Sequence, residues 1–127
     1  MSQIRVLIIE DALFMRSLIK DILTKEGFSV CAEASNALEG LEKFKELKPD
    51  LVTLDIIMPK MEEVDGITAI REILAFDKNA KIIIVSSLAE RRLIQESLFY
   101  GAKDFVVKPF TAERLLGVVK KVLDIKT

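Results

Sequence analysis

Histidine and tryptophan are missing from this chain of 127 residues, and cysteine occurs once. Without histidine there is no imidazole general base, no histidine-dependent triad and no common zinc ligand set. The lone thiol, Cys31, can close no internal disulfide and build no cysteine metal cluster. In Phe28-Ser29-Val30-Cys31-Ala32 it reads as a small buried hydrophobe. No apolar run is long enough to span a bilayer, and Met1-Ser2-Gln3-Ile4-Arg5 has no signal-peptide h-region. A cytoplasmic protein without membrane association is expected. Nor is one sign of charge in excess. With a formal net charge of −1, no basic field attracts nucleic acid and no polybasic patch attracts a membrane surface. Linkers, internal repeats and low-complexity tracts are also lacking.

What is present suits one soluble domain. Hydrophobic residues make up 50% and charged residues 31%, and a chain of this length can bury a real core. Val6-Leu7-Ile8-Ile9, Leu51-Val52-Thr53-Leu54, Ile82-Ile83-Ile84-Val85 and Phe105-Val106-Val107 are near-continuous apolar runs, as in parallel strands buried on both faces. Phe28 to Ala32 is more mixed and reads as an edge strand. Between the runs, apolar residues recur at helical spacing: Met15, Leu18, Ile19 and Ile22; Leu38, Leu41, Phe44 and Leu47; Ile67, Ile70 and Leu74. Leu115, Val118, Val119 and Val122 form the clearest stripe, and Leu93, Ile94 and Leu98 a weaker one. Gly27 and Gly101 sit where helix ends need a left-handed residue. Asn36 and Glu39 have capping-box spacing, and Pro49 stops the second helix. Five strands alternating with five helices predict an α/β fold, a parallel sheet covered on both faces by right-handed crossovers.

Ligands of such sheets bind beyond the carboxyl ends of the strands. Glu10 and Asp11 follow the first strand, and Asp55 closes the third. Ser86 and Ser87 close the fourth, and Lys108-Pro109 the fifth. Three carboxylates gathered at one edge repel one another unless a cation sits among them. All-oxygen ligands favour a hard divalent ion, and Mg²⁺ needs few carboxylates and bridges readily to phosphate. A metal-bound carboxylate beside a lysine and a hydroxyl suits acceptance of a phosphoryl group.

This set of strand-end residues resembles the receiver domains of response regulators. Asp11-Ala12-Leu13-Phe14-Met15-Arg16 and Gly101-Ala102-Lys103-Asp104-Phe105-Val106-Val107-Lys108-Pro109-Phe110 are similar to phrases of the stand-alone, chemotaxis-type receivers. The likeness runs from about Ile4 to about Leu123. It implies one receiver domain over residues 1–127, doubly wound, flavodoxin-like, with parallel strand order 2-1-3-4-5. It also implies Asp55 as phosphoacceptor and Mg²⁺ held by Asp11, by Glu10 through water, by Asp55 and by the backbone carbonyl of Ile57. Ser86 and Lys108 would hold the phosphoryl group, Phe105 would be the switch aromatic, and the Lys108–Pro109 peptide would be cis. The implied donor is a histidine kinase of the CheA-like type. The implied output target is one such as a flagellar motor switch protein, bound by a monomer. The surface it reads would comprise the fourth helix, fifth strand and fifth helix, including Arg91-Arg92-Leu93, Phe105, Lys108 and Phe110.

Four features depart from the family pattern. Glu10 stands where Asp is commoner, and its longer side chain is expected still to reach a metal-bound water. Glu62-Glu63-Val64 is a three-residue insertion ahead of Asp65-Gly66, expected to lengthen the loop at the site entrance. Ile57 and Leu88, two residues beyond Asp55 and Ser86, are apolar at positions that the resemblance implies flank the path of the attacking water, so slow self-hydrolysis is expected. Phe105 replaces the commoner Tyr and lacks a hydroxyl to hold an outward position. Other functions fit less well. A transcription factor or phosphorelay protein would carry its output elsewhere, and no helix-turn-helix or basic excess follows the fifth helix. A Mg²⁺-dependent phosphatase of the haloacid dehalogenase type needs a second aspartate two residues after the nucleophile, where Ile57 stands. A flavodoxin needs a Ser/Thr/Gly-rich phosphate loop after the first strand.

Overall fold

The apolar runs become strands whose burial follows their place in the sheet. In the computed structural model, which describes residues 3–57 and 64–125, the strands are β1 (Arg5–Ile9), β2 (Ser29–Ala34), β3 (Leu51–Asp55), β4 (Ile82–Ser87) and β5 (Asp104–Lys108). They alternate with helices α1 (Leu13–Lys25), α2 (Ala37–Leu47), α3 (Gly66–Phe76), α4 (Arg91–Tyr100) and α5 (Ala112–Leu123), and a 3-10 turn at Leu88–Glu90 precedes α4. All pairings are parallel, in the order β2-β1-β3-β4-β5. β3 is buried at every position and β1 and β4 nearly so, as continuous apolar runs require. Phe105-Val106-Val107 departs from that reading: β5 is an edge strand, and of these three only Val106 is buried. Of the insertion at Glu62-Glu63-Val64, the first two residues lie outside the described residues.

Each face of the sheet has its own core. Leu7, Ile9, Val52, Leu54 and Ile84 meet Leu41 and Phe44 of α2, Ile70 and Ile73 of α3, and Ile94 of α4. Val6, Ile8, Leu51, Ile83 and Val106 meet Ile19 and Leu23 of α1 and Leu115, Val118 and Val119 of α5. Burial of these side chains is the main stabilising term, at roughly 1.5–3 kcal/mol for each large one.

Local chemistry sets the ends of the elements. Gly27 and Gly101 adopt φ of 96° and 120° at the ends of α1 and α4, where a side chain would be strained. Asn36 Oδ1 accepts from Glu39 N–H at 2.8 Å. The returning arm of that box lands one residue early, with Glu39 Oε1 accepting from Ser35 N–H at 2.7 Å.

Between Val6 and Leu7 the β1–β2 register slips. Val6 pairs with Val30 but Leu7 with Ala32, leaving Cys31 as the extra residue of a bulge. Cys31 is therefore half-buried, where the sequence suggested full burial. The slip also exchanges faces. Val30 packs with the α1/α5 core, whereas Ala32 and Ala34 pack with the other. Glu33 is thereby turned toward α1.

One buried polar atom has no structural use. The Thr53 hydroxyl, in the middle of β3, is buried without a hydrogen-bond partner. Valine has nearly the same shape and loses no hydrogen bond there. Thr53→Val should raise the unfolding free energy by about 1 kcal/mol, read as a higher urea midpoint; a lower midpoint would contradict this.

Candidate functional site

Parallel strands put all their carboxyl ends at one edge, and the register aligns the functional residues there. Ile9 pairs with Leu54, Asp55 with Val85, Ser86 with Val107 and Ser87 with Lys108. Glu10 follows Ile9 directly, so Glu10, Asp55, Ser86 and Lys108 converge. One carboxylate oxygen each from Glu10, Asp11 and Asp55 lies within 4.8 Å of the others. Glu10 and Asp55 are only 1% and 6% exposed, whereas Asp11 faces solvent.

Lys108 partly compensates this charge. Its Nζ donates to Glu10 Oε1 at 3.0 Å and to Asp55 Oδ2 at 3.3 Å. Glu10 Oε2 accepts from Ala12 N–H, and Asp55 Oδ1 from Ile57 N–H, both at 3.1 Å. Burial pushes the Glu10 carboxyl up to about 7, with the Asp55 charge adding to it; the Lys108 and Ala12 hydrogen bonds work against the rise. Burial pulls the Lys108 ammonium down, but its bond to Glu10 and the charges of Asp55 and Glu10 carry it above 10.5. A single ammonium therefore serves two carboxylates, and among the described residues none pairs with the third.

The Ser86 hydroxyl is buried and has no hydrogen-bond partner. An orphaned hydroxyl is costly unless a ligand satisfies it. Beside it a cavity of about 190 Å³ is lined by Asp55, Ile57, Ser86, Ser87, Glu90 and Lys108. Ile57 is 48% and Leu88 60% exposed. Phe105 is half-buried and packs against the α2/α3/α4 core. The Lys108–Pro109 peptide is cis.

The donor set fits a divalent cation. Three acidic oxygens lie close together, one carboxylate is open to solvent, and no histidine or cysteine joins them among the described residues. Glu10, Asp11, Asp55, Ser86 and Lys108 come together as their sequence positions suggest.

Other residues here escaped the reading of the sequence. Glu90 lines the cavity, its Oε1 accepting from the Ser87 hydroxyl at 3.4 Å; the Ser-x-x-Glu spacing of a capping box was the available signal. Leu13 and Phe14, at the start of α1, are 67% and 79% exposed, although apolar. Arg16 Nη1 donates to the Glu10 carbonyl at 2.9 Å, a contact that no spacing rule announces. Among the described residues no helix is long and apolar enough to cross a membrane.

Comparison with known proteins places these observations. Residues 6–120 match the response regulator receiver domain. The chain is 52% identical over 118 residues to the chemotaxis protein CheY of Thermotoga maritima, covering 93% of this chain and 96% of that protein. It is 51% identical over 120 residues to CheY of Bacillus subtilis, covering 94% and 98%. Among solved structures, a chain of the CheX–CheY–BeF3–Mg²⁺ complex from Borrelia burgdorferi superposes with a TM-score of 0.87 at 40% identity, covering 94% of this chain and 88% of that one.

Proposed function

Because the chain belongs to the response regulator receiver domain family, we propose that it is a phosphorylated switch of chemotaxis signalling whose acceptor is Asp55. The observation that carries this reading is the orphaned Ser86 hydroxyl beside a carboxylate already held by Lys108. Together they leave a nucleophile, a hydroxyl donor and a cation around one small cavity. A histidine kinase of the CheA-like type is the donor. An Asp55 carboxylate oxygen attacks phosphorus, a P–O bond forms, and the P–N bond of the phosphohistidine breaks. The imidazole leaves with the bonding pair and takes a proton from water. Lys108 turns from its carboxylate partners to the phosphoryl oxygens, and the Ser86 hydroxyl donates to another.

Asp11, Asp55 and the Ile57 carbonyl would hold Mg²⁺ directly, and Glu10 through water. Bound there, the ion neutralises charge on the transferring group. The chain acts as a switch: moving Ser86 toward the phosphate opens space for Phe105 and changes the surface of α4, β5 and α5. A partner such as a flagellar motor switch protein reads that surface. The receiver domain acts as a cytoplasmic monomer.

Incubation with a small acyl-phosphate donor and Mg²⁺, followed by intact-mass measurement, tests the assignment. Wild-type protein should gain the mass of one phosphoryl group; Asp55→Asn, or chelation of the metal, should prevent it. Equal labelling of Asp55→Asn would move the acceptor elsewhere.

A further inference from the structure

Arg16 lies outside the catalytic constellation yet is tied to it on one side and to Glu33 of β2 on the other. Its Nη1 donates to the Glu10 carbonyl at 2.9 Å, and its Nε meets Glu33 Oε1 at 3.3 Å. Lys20 Nζ holds the other oxygen of Glu33 at 3.0 Å. The Arg16 side chain is 18% exposed. Its backbone N–H bonds Ala12 O at 2.9 Å, closing the first turn of α1. α1 has neither a side-chain N-cap nor an acidic residue in its first turn; the segment from Glu10 to Ala12 is otherwise held by Glu10 N–H on Ala34 O at 2.9 Å, by Ala12 N–H on Glu10 Oε2 and by Lys108 on Glu10 Oε1, none of which fixes the Glu10 carbonyl. That segment carries two of the three clustered carboxylates.

We propose that Arg16, braced by Glu33 and Lys20, is a positioning residue that clamps the Glu10 carbonyl and so fixes the Glu10-Asp11 corner for metal binding. The inference rests on the reading of this cluster as the Mg²⁺ site. The bulge at Cys31 is part of the device, because it turns Glu33 toward α1. A guanidinium suits this role, because its planar fork can bond a carbonyl and a carboxylate at once, which one ammonium does less well. Arg16 touches neither the cavity nor an acidic oxygen of the cluster. Its effect is exerted through the backbone.

The sign of the effect separates positioning from electrostatics. A cation near a cation site repels the bound ion, so charge alone predicts tighter Mg²⁺ binding when Arg16 is neutralised. Positioning predicts the opposite. Titration calorimetry of MgCl₂ into wild type, Arg16→Gln, Arg16→Lys and Glu33→Gln decides between them. Arg16→Gln should bind Mg²⁺ about tenfold more weakly, as loss of outer-shell support does elsewhere. Arg16→Lys should fall between it and wild type, since charge is kept but the fork is lost. Glu33→Gln should weaken binding in the same direction, and it changes only two partly exposed ion pairs, with Arg16 and Lys20, which contribute little to folding. The double variant Arg16→Gln/Glu33→Gln should bind no more weakly than Arg16→Gln, because the two act as one clamp. Unfolding of each metal-free variant in urea supplies the control for a general loss of structure. If Arg16→Gln folds and binds Mg²⁺ as tightly as wild type or more tightly, the clamp is refuted; if it does not fold, unchanged affinity in Glu33→Gln refutes it instead. Wild type that binds no Mg²⁺ overturns the metal-site reading together with the clamp, so the two failures are distinguishable.

Discussion

Asp11→Asn should stabilise the metal-free protein while slowing phosphoryl uptake on the order of a hundredfold. Both effects come from one arrangement. Three acidic oxygens lie within 4.8 Å of one another, and Lys108 is bonded to only two of those residues, Glu10 and Asp55. Asp11 is exposed, so its replacement leaves no cavity and no buried unpaired group. Removing its charge relieves repulsion, and the melting temperature in chelator should rise by a few degrees, about 3 °C. The gain reverses in Mg²⁺. A ligand at a hundred times its dissociation constant stabilises a protein by about 2.7 kcal/mol; wild type should show that shift and Asp11→Asn should lose most of it. Thermal unfolding with and without MgCl₂, beside the rate of labelling by an acyl-phosphate donor, reads the whole pattern. A variant less stable in chelator, or one labelled at the wild-type rate, would show that Asp11 is not part of an overcharged metal site.

The second large effect concerns the lifetime of the phosphorylated state. Ile57 lines the cavity, and both it and Leu88, which directly follows the cavity-lining Ser87, are exposed to solvent; neither can hold or deprotonate a water. Glu90 lines the same cavity, but the Ser87 hydroxyl engages its carboxylate. Loss of phosphate from wild type should accordingly be slow. Introducing Ile57→Asn together with Leu88→Glu supplies an amide to place water and a carboxylate to take its proton. Such groups accelerate hydrolysis by about 10²-fold or more. The decay of labelled protein after removal of the donor measures this directly. Unchanged decay would mean that the mouth residues do not control the water.

The inner strands were legible in the sequence for a simple reason. β1, β3 and β4 are covered on both faces, so their apolar runs are nearly unbroken. The strand ends were equally legible, because Asp55 after Leu51-Val52-Thr53-Leu54 has no packing reason to be there. β5 was misjudged because an edge strand can carry an apolar run that the sheet only half covers. The clamp was illegible: Arg16 and Glu33 lie 17 residues apart, and they meet only because a bulge reverses the faces of β2 downstream of Cys31. Periodicity assumes an unbroken alternation, and one inserted residue defeats it. Exposed Leu13 and Phe14 were similarly hidden, since an apolar residue near a helix start ordinarily reads as core.

The strand order has a consequence for how the molecule comes into being. Asp55 and Lys108 lie 53 residues apart in the chain; β4 stands between their strands, and the lysine arrives on the last strand of the sheet. Until that strand docks, the acidic corner lacks the Lys108 ammonium, and its carboxylates repel one another. A divalent cation would supply the missing positive charge there, so during refolding Mg²⁺-dependent protection of Glu10 and Asp55 should appear once β1 and β3 have paired, before the edge strand docks.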